Sequence, residues 1–469
     1  MNKQLENDLK QLTIILEKVK LQGLEYLDSI TNRPTSTQYI IDQNNVLDEK
    51  GIGTLGALEN FNSRLEPLMV ASSGPRYWGY VTGGTTPAAI AGDWLTSIYD
   101  QNTQSTQGQG GTSAIIEIET IKLLLDLLQL PPNYIGGFVT GATMSNFTCL
   151  AVARQWLGKI LGKDIARNGL TQSIKILTAT PHSSALKSLA LLGIGSNTII
   201  PVKTMDGNME AIDIADFEEK ILALNGEPFI FIGSGGTVNT VDFDDFETIA
   251  KLKQQHGFWW HIDAAFGAFA ACSSTHKHLL KGWEFADSIT IDCHKWLNVP
   301  YENAVFFVKE KHSALQVATF QNSNAPYLGD PIENFNYLNF LPENSRRLKA
   351  LPVWFTLMAY GKEGIRYVVD NNIKLANDFG QFITESIAFE LLAPVRLNTV
   401  CFTLAGAENQ NKVNDFLEAL NNTGYVFMTL TMYHKQKGIR AAFVNWRTTG
   451  DDLQQVFTLM NMIHNKLVI

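Results

Sequence analysis

The chain has 469 residues, of which 45% are hydrophobic and 18% are charged, and its formal net charge is −9. This length exceeds what one hydrophobic core usually supports, so we expect a globular protein of two or three lobes. The acidic balance, without any basic tract, argues against nucleic-acid binding. The lack of an apolar run of membrane-spanning length argues against a membrane protein.

The cysteines and the first residues indicate the cellular compartment. Residues 1–9 are polar and acidic, and they lack the apolar segment found in secretory signals. Cys149, Cys272, Cys293 and Cys401 show neither paired nor metal-ligand spacing, so we expect no disulfide framework and no metal site. A cytoplasmic location, where thiols stay reduced, fits this pattern best.

An amphipathic helix is predicted near the start of the chain. The apolar residues that recur at helical spacing on one face are Leu5, Leu9, Leu12, Leu16 and Val19. Because this stripe precedes the main body of the protein, we expect residues 1–78 to form a helical segment that packs on a partner subunit.

From residue 79 to residue 350, helical and strand patterns alternate. The predicted helices span residues 115–130 and 145–161, and the predicted strands span residues 137–140, 173–178, 198–202, 228–232, 258–262 and 288–292. This alternation predicts an α/β fold, with a mostly parallel sheet covered by helices on both faces. Ligands of such sheets bind beyond the carboxyl ends of the strands. We expect residues 79–350 to form the large domain.

After residue 350 the pattern changes to that of a smaller α+β domain, residues 351–469. The predicted elements are a helix at 351–380, a strand at 399–404, a helix at 411–421, strands at 426–432 and 439–446, and a helix at 451–467.

Lys295 and Asp263 suggest the chemistry of the large domain. Each follows a predicted strand, so both are expected at the carboxyl edge of the sheet. An enzyme that uses pyridoxal 5′-phosphate (PLP) needs a lysine that forms a Schiff base and an acid that keeps the pyridine nitrogen protonated. Taken alone, a lysine such as Lys295 is most often a solvated surface charge.

Three further segments contain residues suited to a cofactor. Residues 137–146 read as a strand, a turn of small residues and a helix start, and such a helix N-terminus attracts phosphate. Its hydroxyl groups also serve as ordinary helix caps. His182 opens a predicted helix and could stack on a ring and move protons, although a packing role is the usual one. Thr237 lies in a glycine-rich turn that allows close approach of a ligand.

Taken together, these motifs resemble the group II PLP-dependent decarboxylases, whose members act on aromatic amino acids, histidine or glutamate. The resemblance runs nearly end to end and is strongest between residues 74 and 360. The matching motifs lie at residues 79–84, 93–96, 140–146, 182–184, 236–240, 261–265, 294–297 and 345–351.

The resemblance implies fold type I of the PLP-dependent transferases, as in aspartate aminotransferase, with a seven-stranded sheet. It also implies a homodimer with active sites at the subunit interface. The residues assigned to the cofactor are Lys295, Asp263, Ala265, His182, Ala142, Thr143, Thr237, Asp292 and His294.

The resemblance further implies individual roles for these residues. Lys295 would form the Schiff base and Asp263 would pair with the pyridinium nitrogen. Ala265 and His182 would lie on opposite faces of the ring. Tyr327 would be the loop residue that protonates the substrate carbon, although an ordinary loop tyrosine is the alternative.

At the phosphate end of the site, the Ala142 N–H and the Thr143 hydroxyl would bind phosphate and His294 would line the pocket. Here the chain departs from the family pattern. Ala142 stands where many relatives have glycine, and Cys293 where many have proline. Asp292 stands where some have asparagine, and an acid near phosphate is repelled unless a cation or a helix terminus offsets its charge.

The expected reaction is decarboxylation of an L-amino acid to the amine and carbon dioxide. An aminotransferase is the alternative, in which Arg440 would clamp the substrate carboxylate, unless this arginine makes an ordinary surface ion pair. A third possibility is an aldehyde-forming enzyme, which on this scaffold has phenylalanine in place of the loop tyrosine. A non-catalytic homologue is disfavoured because Lys295 and Asp263 are both present.

Several residues are candidates for contacting the substrate, namely Tyr80, Thr82, Asn102 and Arg440. Tyr77, Trp78 and Tyr80 would form a wall for an aromatic side chain, unless they pack in the core or at an interface. The polar loop 100–107 would instead suit an acidic or amide side chain. The sequence leaves both alternatives open.

Overall fold

The computed structural model describes residues 2–38, 46–106, 111–321 and 334–467. Its helices are α1 (Lys3–Lys10), α2 (Leu12–Ser29), α3 (Gly53–Arg64), α4 (Pro87–Tyr99), α5 (Thr112–Leu127), α6 (Ala142–Ile160), α7 (Ile165–Asn168), α8 (Ser183–Leu191), α9 (Ile214–Ala223), α10 (Phe246–His256), α11 (Ser313–Phe320), α12 (Ala350–Glu385, interrupted at Gly361), α13 (Val413–Asn422) and α14 (Gly450–Leu467). Its strands are β1 (Tyr134–Val139), β2 (Lys175–Thr178), β3 (Ile199–Pro201), β4 (Phe229–Ser234), β5 (Trp259–Asp263), β6 (Ser288–Asp292), β7 (Ala304–Lys309), β8 (Phe389–Leu391), β9 (Thr399–Leu404), β10 (Thr429–Tyr433) and β11 (Gln436–Ala442).

Among the described residues, seven strands form one large sheet in the order β1-β7-β6-β5-β4-β2-β3. All of its strands run parallel except β7, which is antiparallel to both of its neighbours. The predicted α/β fold with a mostly parallel sheet is therefore confirmed. The sequence pattern did not predict β7, whose residues are almost all buried and show no alternation of polar and apolar side chains.

Helices cover both faces of the large sheet. The two tryptophans of β5 show this directly, because successive strand residues point to opposite faces. Trp259 belongs to the hydrophobic cluster that includes Leu150 of α6, and Trp260 belongs to the cluster that includes Phe246 of α10. Both indoles are fully buried. The strands are thus enclosed on both sides, which leaves their carboxyl ends as the place where a ligand can enter.

The second sheet of the described chain is antiparallel, with strand order β10-β11-β9-β8. The sequence predicts its main elements but misplaces the hairpin, because β10 and β11 turn at His434 and Lys435, both with positive φ. Their bounds therefore differ from the predicted 426–432 and 439–446. The short edge strand β8 was not predicted. The domain boundaries after residues 78 and 350 stay a prediction.

The N-terminal prediction of one continuous helix is wrong in one respect. The helix is interrupted at Gln11, so that α1 and α2 are separate. The predicted apolar stripe is exposed, with Leu5 64% and Leu9 61% accessible, while Ile15 is buried. Within the described chain, no helix is long and apolar enough to cross a membrane.

A buried ion pair connects the large sheet to the segment that precedes α12. Both guanidinium nitrogens of Arg346 donate to the carboxylate of Glu117 on α5, at 2.9 and 3.0 Å. Arg346 also donates to the carbonyl oxygen of Phe138 on β1, and Glu117 accepts from the Phe138 N–H. Because both charges are out of contact with water, each depends on the other for compensation.

We predict that Glu117→Gln lowers the free energy of unfolding by about 3–5 kcal/mol, because it leaves the Arg346 charge buried without its partner. Denaturant-induced unfolding measures this loss. The matched control is Arg347→Met, whose ion pair with Asp93 is partly exposed and should contribute less than about 1 kcal/mol. Equal losses in the two variants would contradict the prediction.

Candidate active site

A cavity of about 640 Å³ opens beyond the carboxyl ends of β4 and β5, next to the start of α8. The predicted site residues in its wall are Lys295, Asp263, Ala265, His182, Thr237, Tyr80 and Arg440. The residues at the two extremes of this set, Tyr80 and Arg440, are 360 positions apart in the sequence and meet in one cavity. The prediction that Asp263 and Lys295 share one crevice is confirmed by the geometry.

The carboxylate of Asp263 is held by two neutral donors. The Asn146 side-chain amide donates to Oδ2 at 2.9 Å, and the Ala265 N–H donates to Oδ1 at 3.2 Å. Asn146 is itself fixed by a 2.8 Å hydrogen bond between its Oδ1 and Nε2 of His261. Since no cation is among these donors, the negative charge of Asp263 stays available to a protonated nitrogen in the cavity.

His261 is fully buried beneath this carboxylate. Its Nδ1 hydrogen bonds with the Ser288 hydroxyl on β6, 2.9 Å away. Burial lowers the pKa of His261 to about 4, so the ring is neutral at neutral pH. Because the Asn146 side-chain nitrogen donates to Asp263, its Oδ1 must accept, so the proton of the neutral ring is on Nε2 and is donated to Asn146. This bond orients the amide nitrogen of Asn146 toward Asp263.

His182 is joined to the same network. Its Nδ1 accepts from the Ser184 N–H at 3.2 Å and lies 2.7 Å from the Ser184 hydroxyl, which also accepts from Asn146 at 3.1 Å. The acceptor role of Nδ1 puts the proton of the neutral ring on Nε2. Partial desolvation in the cavity lowers the pKa of His182 below its ordinary value. The ring is thus a neutral N–H donor at neutral pH.

Lys295 forms an ion pair with Asp292, with 2.7 Å between Nζ and Oδ2. Asp292 ends β6, and its N–H donates to the carbonyl oxygen of Ala265 at 2.8 Å. A Cβ at Gly83 would overlap with the carbonyl oxygen of Lys295. A glycine therefore lets the segment 79–84 pack directly on the lysine backbone.

The N-terminus of α6 is open. No side chain of the described residues caps it, and the Met144 and Ser145 N–H groups donate to the carbonyl of Gly141. Ala142 and Thr143 lie in this first turn, half-buried, but they are not part of the described cavity wall. An uncapped helix of 19 residues offers its N–H groups and its dipole to an anion.

His294 borders this helix terminus. Its Cε1 would lie 3.6 Å from a Cβ built on Gly141, and its ring packs on Tyr301 at a centroid distance of 4.4 Å. Nδ1 accepts from the Asn303 N–H at 3.2 Å. Nε2 is 3.8 Å from Asp292, and burial lowers the pKa of His294.

The predicted aromatic wall is only partly present. Tyr80 lines the cavity and is 63% exposed, and both Tyr80 and Val81 have positive φ, which is unusual for residues other than glycine. Trp78, in contrast, is 1% exposed and packs against Phe379 in the core. Tyr77 stacks on Phe427. The packing interpretation therefore holds for Tyr77 and Trp78.

The other substrate candidates lie outside the described cavity wall. Thr82 is buried and accepts a long hydrogen bond, 3.5 Å, from the Tyr301 hydroxyl. Asn102 accepts from the Arg346 N–H at 2.9 Å, so its amide oxygen serves the backbone. Tyr327 lies outside the residues that the structure describes.

Arg440 reaches the cavity from β11 of the small sheet. Its Nη1 donates to the carbonyl of Val238 at 3.2 Å, and its buried Nε has no hydrogen-bond partner among the described residues. No described carboxylate forms an ion pair with it, so the surface ion pair considered from the sequence is not observed. Glu210 lines the same cavity and accepts from the side chains of Asn239 and Thr240.

Sequence reasoning missed the roles of Asn146, His261 and Glu210. Asn146 carried a signal, because it lies four residues after Ala142 and so on the same face of α6. The sequence also contained a signal for His261, because this residue lies two positions before Asp263 and so on the same side of the strand. Glu210 follows no strand or helix pattern, and the sequence has no feature that places it in the cavity.

The donor set fits PLP. The cofactor carries an aldehyde, a ring nitrogen and a phosphate, and the site offers an amine, a carboxylate without a cation and an uncapped helix terminus. Cys293, next to His294, is fully buried and its pKa is raised by burial, so its thiol is a packing group.

Comparison with known proteins yields a consistent picture. The family model described as "Pyridoxal-dependent decarboxylase conserved domain" matches residues 38–405. An aromatic-L-amino-acid decarboxylase from Bacillus atrophaeus is 27% identical over 407 residues, which cover 84% of this chain and 82% of that protein. A phenylacetaldehyde synthase from Arabidopsis thaliana is 24% identical over 409 residues, covering 82% and 81%.

The same fold is found in solved structures of other proteins. The crystal structure of Oryza sativa TDC with PLP and tryptamine superposes with a TM-score of 0.89 at 19% identity, covering 98% of this chain and 99% of that one. At this level of identity the similarity establishes the fold alone.

We predict that His261 makes the protein less stable in acid. Between about pH 6.5 and pH 4 the unfolded histidine takes up a proton that the folded one, with its pKa of about 4, does not, so the free energy of unfolding falls by up to about 3 kcal/mol as pH decreases. His261→Gln should remove this part of the pH dependence, as measured by denaturant unfolding at several pH values.

The control is His256→Gln, an exposed residue at the end of α10, which should leave the wild-type pH dependence unchanged. Asp244, whose pKa burial raises to about 6, titrates in the same pH range in the wild type and in both variants. Its contribution therefore cancels when the pH dependence of the free energy of unfolding is compared between these proteins. The prediction would be contradicted if the free energy of unfolding of His261→Gln fell with decreasing pH as steeply as that of the wild type.

Proposed function

The chain belongs to the family of pyridoxal-dependent decarboxylases, and we propose that it converts an L-amino acid to the corresponding amine and carbon dioxide, with PLP bound to Lys295. The observation that carries this proposal is the meeting of Lys295, Asp263 and His182 in one cavity. The lysine and the acid come from adjacent strand ends, and His182 is linked to the acid through Ser184 and Asn146.

The residues that would hold PLP follow from the donor set. Lys295 would bind the aldehyde carbon, Asp263 the ring nitrogen and the first turn of α6 the phosphate. Ala265 and His182 would lie on the two faces of the ring. When bound, PLP supplies an electron sink that stabilises the charge left on the substrate carbon after a bond to it breaks.

Asp263 would keep the ring nitrogen protonated. Its two donors, Asn146 and the Ala265 N–H, are neutral and fix the carboxylate without consuming its charge. A carboxylate held in this way favours a cation beside it. The Asn146–His261 hydrogen bond makes the orientation of the carboxylate independent of the cofactor.

His182 and Tyr327 would handle the substrate. A neutral His182 with its proton on Nε2 can donate a hydrogen bond to the substrate carboxylate without a full positive charge that would hold the carboxylate too tightly. Tyr327 would then return a proton to the substrate carbon once carbon dioxide has left.

The environment of Arg440 supports decarboxylation over transamination. An aminotransferase needs an arginine that clamps the carboxylate throughout the reaction, whereas a decarboxylase gains when the carboxylate loses its charge. Glu210 lies in the same cavity wall as Arg440, and its negative charge offsets that of the guanidinium. The Glu210 carboxylate therefore opposes strong binding of the substrate carboxylate to Arg440.

The exposed stripe on α1 and α2 supports a homodimer. Leu5, Leu9 and Leu16 are each about half or more exposed, and covering such a stripe would remove apolar surface from water. A second copy of the chain would cover it, with residues 1–78 as the docking segment. In such a dimer, Tyr327 would act in the active site of its own subunit or in that of the neighbouring one.

We predict that purified protein incubated with PLP develops visible absorbance and releases carbon dioxide and amine from at least one L-amino acid in a panel of aromatic, acidic and diamino substrates. Lys295→Ala should lose the visible absorbance and reduce turnover by roughly 10³-fold or more, because no other group replaces the amine. Product analysis by mass spectrometry distinguishes amine from keto acid.

The control for this experiment is Lys281→Ala, which removes an exposed lysine paired with Glu247 and should leave absorbance and turnover unchanged. A keto acid as the main product would replace the decarboxylase by the aminotransferase alternative. A protein that stays colourless with added PLP would refute both.

We predict that, in air-saturated buffer, Tyr327→Phe shifts the product from amine toward aldehyde, because the variant lacks the hydroxyl that protonates the substrate carbon. Dissolved dioxygen would oxidise this carbon instead and leave as hydrogen peroxide, and water would release the aldehyde and ammonia. The ratio of aldehyde to amine, measured by chromatography, should rise at least about tenfold. Tyr367→Phe, at an exposed position on α12, is the matched control and should keep the wild-type ratio. An unchanged ratio in Tyr327→Phe would remove Tyr327 from the mechanism.

A further inference from the structure

Asp292 is a buried carboxylate with an unusual set of neighbours. Its residue is 2% exposed, and its Oδ1 has no hydrogen-bond partner among the described residues. Its Oδ2 lies 2.7 Å from Nζ of Lys295. A buried carboxylate is costly unless a cation or several hydrogen bonds compensate its charge, and here Lys295 is the group that does so.

The other neighbours of Asp292 do not compensate its charge. His294 is 3.8 Å away, and burial lowers its pKa, so it is neutral at neutral pH. Ala265, two residues beyond the end of β5, contacts Asp292 only through its backbone carbonyl. β7 presents Ala304 opposite Asp292, which has no polar side chain.

The geometry also restricts where the amine can be. Asp292 ends β6, where its N–H donates to the carbonyl oxygen of Ala265 and its backbone pairs with Ala304 of β7, so its Cα position is fixed. Lys295 is three residues further along the chain, and the close approach of Gly83 to its carbonyl fixes the backbone at that point. The backbone is therefore fixed at both ends of the ion pair, and only the two side chains can turn.

Building on the function proposed above, we infer that Asp292 is the counter-ion of the Lys295 ammonium and sets the pH range in which the lysine can bond to the cofactor. At a position where some family members have a neutral asparagine, this chain carries a charge. The same charge would hold the amine whenever an incoming amino acid releases it.

The covalent step shows why the counter-ion matters. The ammonium first gives one proton to solvent, and its freed electron pair then forms the bond between Nζ and the aldehyde carbon of PLP. The aldehyde oxygen leaves as water together with the two remaining amine protons. Because a carboxylate at 2.7 Å stabilises the ammonium, it opposes the first of these events.

Several titratable groups share this region and would contribute to a measured pH profile. They are His294, Cys293, Tyr301 and Glu302 on the connection between β6 and β7, Asp263 on β5 and His182 at the start of α8. All of them are retained in a variant of Asp292, so a difference between variant and wild type isolates the effect of this one carboxylate.

The test is the rate at which visible absorbance develops when PLP is added to cofactor-free protein, measured across the pH range by stopped flow. Asp292→Asn keeps the size of the side chain but removes its charge, so the pH of half-maximal loading rate should fall by about one to two pH units. On the acidic side of the wild-type midpoint, the variant should load about tenfold faster for each unit of this change.

The matched control is Asp216→Asn, which removes another buried carboxylate that pairs with a lysine, in this case Lys220 on α9. Its loading profile should coincide with that of the wild type. If wild-type protein develops no absorbance with PLP, the proposed function fails. If it does but Asp292→Asn has the wild-type midpoint, only the role of Asp292 is refuted.

A second measurement needs no cofactor. Lys295→Met leaves Asp292 buried without its cation, and adding Asp292→Asn removes that uncompensated charge. The double variant should therefore unfold at a higher denaturant concentration than Lys295→Met alone. A double variant that is equally stable or less stable would overturn the assignment of Asp292 as counter-ion.

Discussion

The parallel pairing of β5 with β6 is the constraint on which the candidate active site depends. The ladder joins His261 to Ser288 and Asp263 to Thr290. It continues past the strand ends, because the Asp292 N–H donates to the carbonyl of Ala265. The backbone at Asp263, Ala265 and Asp292 is therefore fixed by main-chain hydrogen bonds before any side chain interacts with a ligand.

The two carboxylates at these strand ends have opposite kinds of partner. Asp263 is held by an amide and a backbone N–H, both neutral, and so it retains a charge that can stabilise a cation in the cavity. Asp292 is buried and is paired with the ammonium of Lys295. Under the proposed function, the same side-chain type would serve as the electrostatic partner of the ring nitrogen at one strand end and as a counter-ion at the next.

The side of the cavity that would contact the substrate is built differently from the cofactor side. Tyr80 and Val81 adopt left-handed backbone conformations, and Arg440 reaches in from the small sheet. Local sequence periodicity specifies neither arrangement. Thr431 on the small sheet hydrogen bonds to Asn239 of the large body, so the position of the Arg440 strand depends on contacts between the two sheets. Relatives that share this scaffold can therefore differ in substrate and product.

The sequence by itself determined the fold class, the order of the main elements and the cofactor. Strand and helix periodicities reflect which faces are buried, and Asp263 and Lys295 each follow a buried strand whose carboxyl end has to lie at the ligand edge of a parallel sheet. It did not determine β7 or the break at Gln11, because a fully buried strand lacks alternation and a helix interruption can leave the apolar spacing intact. Only the tertiary structure decided that Trp78 is a core residue, that Glu210 joins Arg440 in the cavity, and that Lys295 is the cation that compensates Asp292. These three outcomes depend on distances between segments far apart in the chain, which local patterns of hydrophobicity and spacing do not encode.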